Sequence, residues 1–154
     1  MRRICVSDFN VTIVEYPAKR LTGIKVRSNM AKAQEDCPAL WQRFCTDCAQ
    51  DMPAASFGVS VMLDAENFDY WAAVEDKDGR LPADMEHVDI PAGKYAVCSV
   101  PNLASIGEAY MFIFQKWLAS QQAHAYNEQS PSFELYPPHW SPENPFEIYV
   151  GIKG

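Results

Sequence analysis

Hydrophobic periodicity along this chain changes in an order that occurs twice, and that order limits the folds open to it. Val11–Tyr16 and Arg20–Ser28 have strand character, with Pro17-Ala18 as a break between them. A helix follows, with Asp36 as its N-cap and Pro38 in its first turn. Cys37, Leu40, Trp41, Phe44, Cys45 and Cys48 then share one helix face at three- and four-residue spacing, and Met52-Pro53 ends the run. Phe57–Asp64 and Phe68–Glu75 read as a hairpin around Ala65-Glu66-Asn67. After a turn at Asp76–Arg80 and a polar connection to Asp89, the pattern recurs. Ile90–Val100 gives a turn and a strand, and Pro101-Asn102 precedes a helix over Leu103–Gln121. That helix presents Leu103, Ile106, Tyr110, Ile113, Phe114, Trp117 and Leu118 as one stripe. Ala123–Ser130 is loop, and Ser132–Tyr136 and Phe146–Ile152 are the last two strands. No residue-level repeat is visible, so the duplication is one of element order. It predicts an α+β fold: two strand-helix-strand-strand modules, about 11–76 and 90–154, sharing a mostly antiparallel sheet with both helices on one side. A cleft between such halves is a favoured place for a small-molecule site.

The totals suit this reading. A chain of 154 residues is one ordinary domain, here 1–154. The formal charge of −7 argues against direct binding to nucleic acid, which needs clustered Lys and Arg. Ser7, Asp8 and Asn10 interrupt the apolar run an export signal needs, and no stretch approaches the roughly 20 apolar residues of a membrane helix. Five irregularly spaced cysteines suit reduced thiols. The expected location is therefore the cytoplasm, with no membrane contact.

The last two strands raise the chemical question. Alternation puts Glu134 on one face with Tyr136, and Phe133 and Leu135 on the other; on the partner strand Glu147 shares a face with Tyr149. An acid in mid-sheet either faces water, pairs with a Lys or Arg, or receives a cation from outside. A carboxylate in apolar surroundings costs several kcal/mol unless paired or protonated. Aromatic faces add roughly 0.5–2 kcal/mol each for a bound cation. Glu134 and Glu147, on neighbouring strands, are also conceivable as a general acid/base pair. Cys45-Thr-Asp-Cys48 is a CxxC, but it lies within a helix pattern, without a second CxxC or histidines at ligand spacing. Two packed thiols are the better reading. No GxSxG, Walker loop or GxGxxG occurs, and neither cofactor nor metal is expected.

Ile90-Pro-Ala-Gly-Lys-Tyr-Ala-Val, Ala109-Tyr110 with Trp117-Leu118, Phe133-Glu134-Leu-Tyr136 and Phe146-Glu-Ile-Tyr149-Val150 together resemble the GyrI-like effector-binding domain of AraC- and MerR-type regulators. Leu40-Trp41-Gln-Arg-Phe44 and Phe68-Asp-Tyr70 fit as well. The likeness runs from about Val11 to the C-terminus and is nearest to the stand-alone, integron-associated members. It implies pseudo-twofold symmetry between the modules and a pocket whose central glutamate binds cationic, amphipathic drugs and dyes between aromatic rings. Glu134 falls at that glutamate and Tyr149 at a pocket tyrosine; Trp71, Tyr110 and Trp41 follow as wall residues, with Phe57 behind them. Val100-Pro101-Asn102 departs from the family, which often carries Gly there. No helix-turn-helix precedes Val11, so a transcriptional output would need a separate DNA-binding or other protein partner. Two rival functions stay open: a hydrolase of reactive small molecules using pocket glutamates, and a protein-interaction module of the gyrase-inhibitor kind.

Overall fold

A computed structural model of the chain describes residues 9–29, 31–47, 55–64, 66–75, 85–120, 122–127, 130–138, 140–141, 143 and 144–153. The first half contains β1 (Val11–Tyr16), β2 (Lys19–Asn29), helix α1 (Ala33–Asp47), β3 (Ser56–Met62) and β4 (Asn67–Glu75). The second contains β5 (Glu86–Ile90), β6 (Gly93–Val100), a helical segment over residues 103–120, β7 (Ala125–Tyr126), β8 (Ser132–Tyr136) and β9 (Phe146–Lys153). Eight strands form one sheet in the order β1-β6-β9-β8-β3-β4-β2-β5, every neighbouring pair antiparallel, and β7 adds to the end of β9.

Within that order the first module runs β3-β4-β2 and the second β8-β9-β6, mirrored about the central β8–β3 pair. The α+β fold of two strand-helix-strand-strand modules is therefore as expected, helices on one side included. The outermost strands add an exchange. β1, which leads the first half, pairs with β6 of the second, and β5, which leads the second, pairs with β2 of the first. The polar connection expected up to Asp89 ends in that edge strand. Glu86, Asp89 and the ion pair of Arg20 with Asp89 (3.0 Å) give it the charged character by which natural sheets blunt their edges, and this hides it from a hydrophobic count.

Local chemistry sets the helix starts. Helix α1 begins three residues before Asp36. Asn29 Oδ1 accepts from the amides of Ala31 and Lys32 at 3.0 Å and turns the chain into the helix, while Asp36 accepts from the Ser28 hydroxyl at 2.8 Å instead of capping. Asn102 caps the second segment, its side chain accepting from the Ser105 amide at 3.1 Å. That segment is a 3₁₀ turn (Leu103–Ser105), an α-helix α2 (Ile106–Met111), a π-helical stretch (Phe112–Trp117) and a closing α turn α3 (Leu118–Ser120). The 3₁₀ turn and the π stretch both depart from the 3.6-residue period, so the expected stripe splits. Ile113 is fully buried, but Phe114 and Leu103 are exposed. Residues 123–130, expected as loop, contain the two-residue β7.

Both faces of the sheet are apolar. On one, Leu40 and Phe44 of α1 pack on Ile24, Phe68, Tyr70 and Ala72, and Ala109 and Ile113 pack on Cys98, Val100, Ile148 and Val150. On the other, Phe57, Val59, Trp71, Tyr95, Phe133 and Tyr149 form a second buried cluster. Tyr16 on β1 reaches to 5.4 Å from Phe133 on β8, three strands away. A flat sheet would hold those strands about 14 Å apart, so the sheet curls over this face.

Candidate functional site

Strand register locates Glu134. Directly paired residues share a face, and one row runs through six adjacent strands: Cys98, Ile148, Glu134, Gly58, Ala72 and Ile24. Glu134 and Gly58 are its two middle members, on the central strand pair, and the row lies on the helix side. Glu134 is 4% exposed. A carboxylate is thus placed where the modules meet, between two apolar helix–sheet clusters.

Tyrosine hydroxyls surround it. Oε1 accepts from Tyr136 Oη at 2.6 Å and from Tyr70 Oη at 2.9 Å, and Oε2 accepts from Tyr110 Oη at 2.6 Å. Trp41 Nε1 in turn donates to Tyr70 Oη at 2.8 Å. The donors come from β8, β4 and α2, with Trp41 from α1, so the network joins both modules and both helices. Trp41 also meets Tyr136 edge-on at 5.5 Å. Gly58 gives the carboxylate room: a Cβ there would lie 2.5 Å from Glu134 Oε1 and closer still to Tyr70 Oη.

Among the described residues no Lys, Arg or His forms an ion pair with Glu134. Burial pushes its pKa up, and the hydroxyls of Tyr110, Tyr136 and Tyr70 pull it partly back, leaving it above the ordinary value. The same burial, with the Glu134 charge beside them, holds Tyr70, Tyr110 and Tyr136 well above the usual phenol range, so they remain donors. Burial, with help from Glu134 and Asp36, raises the Cys37 thiol to about 12 and keeps it an inert wall group. Two surface hollows, of about 520 and 230 Å³, are lined by Asn102, Leu103, Ala104 and Glu143 and by Glu108, Met111, Phe112, Gln115 and Lys116. Neither includes Glu134. The site is closed.

Of the expected site residues, the structure brings Glu134, Tyr110 and Trp41 together. It places the other three across the sheet. Val97, Tyr149, Phe133, Val59 and Trp71 form the adjacent row, one residue on and so on the opposite face, and Phe57 faces that side with Leu135. Tyr149 stacks on Phe133 there, centroids 4.5 Å apart, and Trp71 lies under Lys25 Nζ at 5.4 Å. Glu147 pairs with Leu135, so it too faces away from Glu134, and the two carboxylates cannot act as an acid/base pair on one substrate. Tyr70 and Tyr136 were missed as site residues, although Tyr136 could be read from its place two residues beyond Glu134. Cys48 and the Cys45 side chain lie outside the described residues, and among those described no group of three metal-ligating side chains forms. No described helix is long and apolar enough to cross a membrane.

Known proteins share this arrangement of elements. An integron cassette protein from the mobile metagenome of Vibrio cholerae superposes with a TM-score of 0.76 at 18% identity, covering 94% of this chain and 97% of its own. SAV2435 bound to tetraphenylphosphonium gives 0.76 at 21%, covering 94% of each chain. The C-terminal domain of EcmrR gives 0.62 at 14%, covering 94% and 98%; in the EcmrR–DNA complex the match spans 57% of the EcmrR chain. No curated protein matches the chain. A sequence model matches residues 12–152, nearly the whole length, and it is that of Cass2, described as integron-associated effector binding protein. The chain belongs to this effector-binding family.

Proposed function

We propose that the protein binds cationic, amphipathic aromatic compounds, with Glu134 as the counter-charge. One observation carries this reading: Glu134 is buried at the centre of the sheet with three hydroxyl donors and, among the described residues, no cationic partner. Such a carboxylate is expensive to keep and gains most from a positive charge brought next to it. Functional sites are where such shifted groups concentrate. Trp41, Tyr70, Tyr110 and Tyr136 offer ring faces for the apolar part of the ligand. The tetraphenylphosphonium held by SAV2435, which shares this fold, supports a cation as ligand.

Access requires α1 and the second helical segment to part, because Trp41 and Tyr110 close the site from those elements. The second segment is suited to move. Its 3₁₀, α and π turns leave few consecutive regular hydrogen bonds, and locally irregular segments open at lower free energy than strands. Among the rival functions, a two-glutamate hydrolase loses support because Glu134 and Glu147 face opposite ways. We expect ligand to be recovered unchanged after long incubation. We place the protein in the cytoplasm and assign any transcriptional output to a separate DNA-binding partner; in EcmrR the domain of this fold is part of a chain seen in complex with DNA.

Tryptophan quenching with tetraphenylphosphonium tests the site. Glu134→Gln should weaken it by about 2–5 kcal/mol, on the order of 30-fold or more. A neutral aromatic of similar size should bind both proteins alike. Equal tetraphenylphosphonium affinity in the two proteins would remove Glu134 from the site.

A further inference from the structure

The two oxygens of Glu134 are held in different ways. Oε1 accepts two hydroxyls, from Tyr70 on β4 and Tyr136 on β8, and both come from strands of the central sheet. Oε2 accepts one, from Tyr110 on the helical segment that must move to admit a ligand. A carboxylate offers about four lone-pair positions, two on each oxygen. Oε1 is therefore full, and its donors are fixed by sheet hydrogen bonding and by packing. Tyr136 is 5% exposed and Tyr70 4%. With the helices closed, Tyr70 also accepts from the Trp41 indole N–H. Oε2 has one position open with the helices closed and two once Tyr110 leaves.

We infer, resting on the cation-binding reading above, that Glu134 meets its ligand through Oε2 alone. The site then takes quaternary or tertiary ammonium and phosphonium groups and discriminates against amidinium and guanidinium. Planar bidentate cations form their strong contact by placing one N–H on each carboxylate oxygen. Here the Oε1 half of that fork meets an oxygen with no position left, so a ligand N–H is buried without an acceptor or a tyrosine hydroxyl is displaced from one. A quaternary centre makes no such demand. It is attracted by charge and by ring faces only.

Four probes on one naphthalene frame test this: the trimethylammoniomethyl, dimethylammoniomethyl and amidinium derivatives, and the neutral carbinol. Affinities are measured by titration calorimetry on the full chain. In the wild type the amidinium should bind roughly tenfold or more weakly than the two ammonium probes, the penalty of one buried unsatisfied donor. Tyr70→Phe and Tyr136→Phe each free a position on Oε1 and should narrow that gap several-fold. Tyr110→Phe, which frees Oε2, should leave it in place. An amidinium that matches or exceeds the ammonium probes on the wild type overturns the inference, whether or not the variants fold. So does a gap that closes in Tyr110→Phe but not in the Oε1 variants. If no cation outbinds the carbinol, the cation-binding reading itself fails, a result distinct from either.

Discussion

Each face of the sheet carries a glutamate two residues from a tyrosine on one strand, and the two pairs meet different fates. On β8, Glu134 and Tyr136 face the helices; on β9, Glu147 and Tyr149 face the curled side. Glu134 is buried and accepts three hydroxyls, whereas Glu147 is half-buried and accepts one, from Tyr149 at 3.1 Å. The helix-side pair lies on the central β8–β3 pair, where both modules contribute donors. The other pair sits beside stacked rings whose cluster has surface lysines at its rim, Lys19 5.9 Å from the Tyr16 ring and Lys25 over Trp71. A carboxylate beside a tyrosine is thus not a site in itself. Burial, several neutral donors and, among the described residues, no counter-ion set Glu134 apart from Glu147.

The largest effect that separates the faces is on cation binding. Where Glu134→Gln loses on the order of 30-fold or more, Glu147→Gln should stay within about twofold, the usual range for a half-exposed side chain outside a site. A comparable loss from both variants would mean that the ligand spans or avoids the sheet in a way this division does not allow.

Stability should divide the same way. Removing the Tyr110 hydroxyl takes a donor from a buried charge, and Tyr110→Phe should cost about 1.5–3 kcal/mol in urea unfolding. Tyr149→Phe removes a longer bond to a carboxylate that water reaches, and it should cost less than about 1 kcal/mol. Gly58→Ala introduces a Cβ 2.5 Å from Glu134 Oε1 and should cost about 1–3 kcal/mol through displaced neighbours. At Gly93, nothing lies within 4 Å of an added Cβ, so alanine there should change stability by no more than about 0.5 kcal/mol. Equal costs at the two glycines would show that the carboxylate is not packed against β3.

The module order, the helix side and the mid-sheet position of Glu134 are legible in the sequence because they rest on period and on one conspicuous charge. The faces are not. Tyr70 and Trp71 are adjacent aromatics in a strand buried on both sides, Phe68–Ala73, and nothing in such a run says which parity faces the helices. One residue of register decides between them. The face of Tyr149 is hidden for the same reason, since its row is set by the pairing of Phe133 with Tyr149. The exchange of β1 and β5 between halves is hidden because it is a matter of which strands pair, which residue periodicity does not carry. The break in the second helical stripe at Phe114 follows from a π-helical stretch that no residue type announces.

The smallest effect is on pH, and it runs in opposite directions for folding and for binding. Glu134 titrates above its ordinary value of 4.5 in the folded protein, so the fold takes up this proton at a higher pH than the unfolded chain does. Stability contributed by this residue therefore rises as pH falls through the folded pKa towards the ordinary one. Asp69, held below its ordinary value by Arg27, gives stability that is lost as pH falls through its own folded pKa, so the comparison must be with Glu134→Gln and not with neutral pH alone. On the proposed reading, cation binding needs the carboxylate. Affinity should be flat above the folded pKa and decline below it by at most tenfold per pH unit, one proton being taken up per ligand released. Tyr70, Tyr110, Tyr136 and Cys37 stay protonated throughout, so one group accounts for the slope. Tetraphenylphosphonium, whose own charge is fixed, is the probe to use. If its affinity does not change across the acid range while the fold persists, Glu134 is not its counter-charge.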